Sequence, residues 1–234
     1  MILRILSRHV PRGTSMLGML CMLCILSTGI AKAATAQWQD ALKSMPLPPG
    51  APRINRDNAV ALLLPAFRSN VTVKGLLVLP DVADDFYLIH RDSPKLQLQA
   101  SNLYQALVLL TNATEVRLTF RDPFLLVHMP SDRLEPTVAA RDPSSARALK
   151  SRVAFAEGWF ADTHWDRVQP RLASALKRPV VPEPGSQEAW HFARHNFAAC
   201  NLTGWELLEA VSLTGHTAVT VQKRDIVLRE WTVP

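Results

Sequence analysis

The side chains with most chemistry to offer lie in Trp190-His-Phe-Ala-Arg-His195. Wound into a helix, His191 and His195 stand four apart on one face, a spacing that lets two imidazoles share a metal ion. Glu188 falls one turn before His191 and supplies a third ligand, with His216 free to approach from elsewhere. No glutamate sits between the histidines as in His-Glu-x-x-His, so a general base is missing. A secreted metal-dependent hydrolase is therefore one reading of this stretch. The plainer one is a solvated helix carrying two histidines, and no cofactor is expected.

Other clusters are weaker. Ala161-Asp-Thr-His-Trp-Asp166 sets two carboxylates around His164, and the expectation is a solvated turn with Trp165 in the core. Asp81, Asp84 and Asp85 offer oxygen ligands for calcium but lack the glycine-punctuated spacing of an EF-hand, so they read as a charged loop. Trp159, Trp165, Trp190 and Trp205 would suit a groove in a periplasmic ligand-binding protein. Beside alanines and leucines at helical spacing, they are expected in the core instead. The sequence has no Gly-x-Ser-x-Gly elbow, Walker loop or dinucleotide glycine pattern.

The amino-terminal stretch carries an address rather than a site. Arg4, Arg8 and Arg12 precede the uncharged apolar run Met16 to Ile30, and Ala31-Lys-Ala33 and Ala34-Thr-Ala36 follow. That order is the basic, apolar and small-residue pattern of a secretory leader over residues 1–36. An apolar run short of about 20 residues does not span a bilayer comfortably. Membrane contact is thus expected only through an uncleaved leader. The leader also holds the charge imbalance. The chain has 26 basic and 20 acidic residues, and without Arg4, Arg8, Arg12 and Lys32 the remainder has 22 against 20. No concentrated basic face is left for nucleic acid. Cys21 and Cys24 depart with the leader, so Cys200 alone remains, expected to be buried among Phe197, Ala198, Ala199 and Leu202.

The elements that must position these groups follow from periodicity and breakers. Residues 37–52 end in Pro46-Leu-Pro-Pro-Gly-Ala-Pro52 and read as a proline-rich linker. Residues 53–130 and 186–234 read as two α+β regions, separated by a linker and helical insert over 131–185. The pairing rests on Leu110 to Leu125 set over Leu213 to Leu228, where seven of sixteen positions are identical, among them Val116/Val219, Arg121/Arg224 and Asp122/Asp225. Asn102-Leu103 and Asn201-Leu202 start a helix in each copy. A hairpin follows, with Val116, Leu118 and Phe120 on one sheet face in the first copy and Val219 and Val221 in the second. Lys95 to Ala100 adds a strand before the first helix, giving strand-helix-strand-strand units. Asn58 to His90 reads as a weaker third copy. Ser186 to Cys200 is expected to open a helix.

This shape, from Leu96 to His128 and from Leu202 to Arg229, resembles the short N-terminal domain shared by secretins and TonB-dependent receptors. The chain lacks the long alternating strands of a membrane barrel. The resemblance implies an exported, non-enzymatic cell-envelope protein, an interaction or assembly module that docks to an envelope partner or a homologous module. Edge-strand pairing is the expected mode, through the returning strands and their residues Phe124, Leu126, His128, Ile226 and Leu228. Oligomeric state is left open by the sequence.

Overall fold

A computed structural model describes residues 38–44, 64–68, 72–82, 101–113, 115–185 and 194–231. The leader, the proline-bearing part of the linker over 45–52, the strand expected over 95–100, most of the third copy, and residues Glu188 and His191 lie outside the described residues.

Residues 38–43 are helical. They are followed by α1 (Leu64–Phe67), β1 (Gly75–Val78), a 3-10 turn (Pro80–Val82), α2 (Leu103–Ala113), β2 (Arg117–Arg121), β3 (Phe124–His128) and β4 (Thr137–Ala140). Then come α3 (Pro143–Ser151), β5 (Val153–His164), α4 (Trp165–Leu176), β6 (Val180–Pro182), β7 (Arg194–Thr203), α5 (Gly204–Thr214), β8 (Thr217–Val221) and β9 (Ile226–Glu230). The protein is α+β, with a five-stranded sheet in the order β2-β3-β1-β7-β5 and a four-stranded sheet in the order β4-β8-β9-β6. Among the described residues no helix is long and apolar enough to cross a membrane.

The central strands of the large sheet are buried on both faces, which explains why β1 and β3 are unbroken apolar runs rather than alternating ones. Leu76, Val78, Leu125, Val127, Ala198 and Cys200 face one core with Trp38, Leu42, Phe67 and Leu107. Leu77, Leu79, Phe124, Leu126, Phe197 and Ala199 face a second core with α4, α5 and the small sheet. Helix α5 is apolar around most of its circumference, with Leu207, Leu208, Ala210, Val211 and Leu213 all buried, because it lies between the two sheets. Helix α4 buries only Trp165, Val168, Leu172 and Leu176, one stripe at i, i+3 and i+4 spacing.

Several expectations are corrected here. The insert is not helical throughout: its middle is β5, twelve residues paired with β7. Leu149, Val153, Ala156 and Phe160 fit a helical stripe, but the ladder to β7 supplies backbone partners that decide for strand. His195 stands on strand β7, not on a helix. The helix after it starts later, capped by Thr203, whose hydroxyl accepts the Glu206 N–H while the Glu206 carboxylate accepts the Thr203 N–H. Asn201, expected as that cap, is a strand residue with φ 56°. Cys200 is buried as anticipated.

The returning strands are not edges. Strand β3 is flanked by β2 and β1, and β9 by β8 and β6. Phe124, Leu126, Ile226 and Leu228 are fully buried, and His128 is 5% exposed. The sequence gives no hint that β1 and β6, far upstream of each hairpin, pair in parallel with the returning strands and cover them.

Candidate functional site

The helix-hairpin segments over residues 102–128 and 203–230 have the same element order. Their caps and ladders align at a separation of 101 residues, two fewer than the identity-based register of Leu110 over Leu213. Asn102 Oδ1 accepts the Gln105 N–H as Thr203 Oγ1 accepts the Glu206 N–H. Leu118 and Phe120 face the α2 side as Val219 and Val221 face the α5 side. Outside each hairpin a parallel strand bonds at matching positions, Leu79 N–H to Val127 O and Glu183 N–H to Leu228 O. Arg121 and Arg224 are consequently not counterparts, since Arg121 ends a strand and Arg224 lies in the longer turn between β8 and β9.

The two hairpins differ at their outer edge. Strand β8 is covered by β4, in parallel register, with Val138 opposite Val219 and Ala140 opposite Val221. Strand β2 pairs with β3 alone among the described residues. Beside β2 lies an open groove of about 750 Å³, lined by Trp38, Tyr104, Val108, Thr111 and residues 116–118. Its volume is within the range of ligand sites. Trp38 is 6% exposed and stacks on Phe120 at 6.2 Å, yet its buried indole N–H has no partner. Lys43 lies over the Tyr104 ring at 5.3 Å.

At the other end of the large sheet, β5 is also an edge, but a guarded one. Its pairing with β7 shifts register near both ends, and Arg171 Nη1 donates to the Trp159 carbonyl at 3.1 Å. Bulges and capped carbonyls discourage strand addition. Trp159, expected in the core, is 43% exposed on this strand, whereas Trp165 is buried and Trp205 half-buried. Trp190 lies outside the described residues.

The titratable groups that do converge are not those expected. Asp81 follows β1, Asp132 follows β3, and parallel pairing brings both to one end of the sheet. His216, in the turn after α5 at φ 49°, points Nε2 at Asp132 Oδ1 across 3.8 Å. The Asp132 carboxylate is fully buried and its Oδ2 accepts the Met129 N–H at 2.6 Å. The His216 ring stacks on Trp231 at 5.3 Å, and Arg133 covers that indole at 4.8 Å. Burial, then the charge of Asp132, raises the Asp81 carboxyl above its usual range, with His216 acting against them. The cluster lies where the end of the large sheet meets the turn that leads into the small one. Asp84 and Asp85 lie outside the described residues.

His195 is fully buried. Thr214 Oγ1 donates to Ala210 O, so it accepts from His195 Nδ1–H at 3.0 Å, which fixes the neutral tautomer. Burial lowers its pKa to about 4. Its ring lies against Gly215, where any side chain would collide with it. His195 is therefore turned into the core from a strand instead of standing on a solvent-facing helix, and its expected co-ligands His191 and Glu188 lie outside the described residues. Among the described residues no group of three His, Cys, Asp or Glu side chains is placed to hold a metal ion. Residues Asp162 to His164 belong to β5 and Asp166 opens α4, rather than forming a turn. His128 is likewise structural, donating from Nδ1 to Met129 O and accepting at Nε2 from Thr119.

No protein family, no curated protein and no solved structure matches this chain.

Proposed function

We propose that this protein is an exported, non-enzymatic cell-envelope module that recognises a protein partner by strand addition, similar in that role to the short N-terminal domains of secretins and TonB-dependent receptors. The observation that carries the reading is the outer side of β2, which has no partner strand among the described residues and borders an open groove, in a sheet whose opposite edge is guarded. Backbone N–H and C=O groups along such an edge provide affinity, and pockets for alternate side chains provide selectivity. The basic-apolar-small leader supports export.

The test places a photo-crosslinking amino acid at Arg117, on β2, or at Glu183, beside the small sheet, in the full chain expressed in its host. The proposal expects an envelope-protein adduct from position 117 and none from 183. It also expects the recovered chain to begin at Ala34 or Gln37. Absence of an adduct at 117, or a full-length chain in the cytoplasmic fraction, contradicts it.

A further inference from the structure

We propose that one end of the small sheet, formed by the turns after β4 and β8 and before β6, docks on an anionic membrane through the phosphate groups of its lipids. The inference goes beyond strand addition. It rests on the proposed function only for the export that brings the chain to a membrane.

The register of the small sheet assembles this surface. Ala140 lies opposite Val221, Val221 opposite Ile226, and Ile226 opposite Val180, so the four strands stop in one row. At about 4.8 Å between strands, that row is about 14 Å wide. Backbone bonds lock the turns that leave it: Arg141 N–H to Val221 O at 2.9 Å, Gln222 N–H to Asp225 O at 3.0 Å, and Ile226 N–H to Pro179 O at 2.9 Å. Arg178 Nη1 donates to Gln222 O at 3.1 Å and ties two of the turns together.

The side chains on these turns are mostly cations. Arg141, Lys177, Lys223 and Arg224 are exposed, and among the described residues none of them has a carboxylate partner. The acids at this end are Asp142, whose carboxylate is engaged by Ser144 and Ser145 as the α3 cap, and half-buried Asp225. The opposite end of the same sheet carries Glu135, Glu183 and Glu230. The sheet is thus polarised along its strands, with one end suited to a negative surface. Composition hides this, because the chain beyond its leader has 22 basic and 20 acidic residues and these cations come from separate turns.

The same turns select among polyanions. They hold no aromatic residue on which a nucleic-acid base could stack. They also hold no large apolar residue to anchor a protein interface. What they offer is fixed positive charge over a short row, which matches closely spaced lipid phosphates and requires no insertion into the bilayer.

The test is co-sedimentation of the chain recovered from its host with vesicles of phosphatidylcholine alone, or of phosphatidylcholine and phosphatidylglycerol in equal parts. Binding to the mixed vesicles, absent from the neutral ones and lost in high salt, is expected. The double variant Lys223→Glu with Arg224→Glu should weaken it by about tenfold or more, and Arg141→Glu, on another turn, by about threefold or more. Arg167→Glu with Arg229→Glu makes the same change in net charge away from the row and should retain most of the binding. Circular dichroism checks that each variant keeps the native fold, and Arg141→Glu carries the test if the double variant does not. Equal binding to neutral vesicles, unchanged binding in the turn variants, or an equal loss in the control pair overturns the inference. Tighter binding to a DNA duplex or to polyglutamate than to the mixed vesicles assigns the surface to another polyanion and overturns it as well. Vesicle binding without an adduct at position 117 leaves this inference standing and removes strand addition, and an adduct without vesicle binding does the reverse.

Discussion

Residues 102–128 and 203–230 build the same local object, a capped eleven-residue helix laid across a hairpin, and place it in opposite circumstances. The second copy is enclosed: α5 lies between two sheets, and β4 and β6 flank its hairpin. The first is enclosed on one side by β1; on the other, β2 has no further strand among the described residues and a groove lies beside it. The same helix-then-hairpin order is enclosed as core in one place and borders a groove in the other. What changes is the neighbouring strand rather than the hairpin.

The sharpest way to break this comparison is to delete matching core side chains. Leu208 and Leu107 are counterparts and both are buried. Leu208→Ala should cost about 4 kcal/mol, since walls from two sheets cannot collapse onto the cavity. Leu107→Ala should cost about 2 kcal/mol, because the open side can relax or hydrate. Urea denaturation of the two variants measures both, and equal losses would mean the environments are not different in substance.

Acid should distinguish the segments next. His195 packs against Thr214 and Gly215 after α5, and among the described residues no histidine packs at the end of α2. Its folded pKa of about 4 is below the ordinary value of 6.5, so the folded state refuses a proton that the unfolded chain accepts. The stability it supports is fully present above pH 6.5 and is lost as pH falls toward 4, by about 3 kcal/mol. Denaturation midpoints across that range should fall in the native protein and fall less steeply in His195→Gln.

The smallest effect probes what the segments share. Thr203→Ala and Asn102→Ala each remove one cap bond to an N–H three residues on, and each should cost about 1 kcal/mol. Thermal melts showing one cap to be silent would separate the two helices at their starts.

Much of the local design was legible in the chain. Asn102 as a cap, the alternating Leu118 and Phe120, and buried Cys200 follow from residue types and spacing. Thr203-x-x-Glu206 was an available capping signal that the neighbouring Asn201 obscured. What escaped were long-range pairings. The run Gly75-Leu-Leu-Val78 has no alternation because both faces are buried, so periodicity cannot identify it as a strand. Without β1 and β6 in view, the last strand of each hairpin looks like an edge. The groove draws on Trp38, Tyr104 and Arg117, far apart in sequence, and no local pattern announces it.

Native-state hydrogen exchange on the unliganded protein tests the central claim most directly. Val221 O bonds to the Arg141 N–H, so that side of β8 is closed, whereas the matching side of β2 has no such partner among the described residues. The account predicts that the amides of Leu118 and Phe120 exchange faster than those of Val219 and Val221 by about tenfold or more. Equal protection at the two pairs would contradict it.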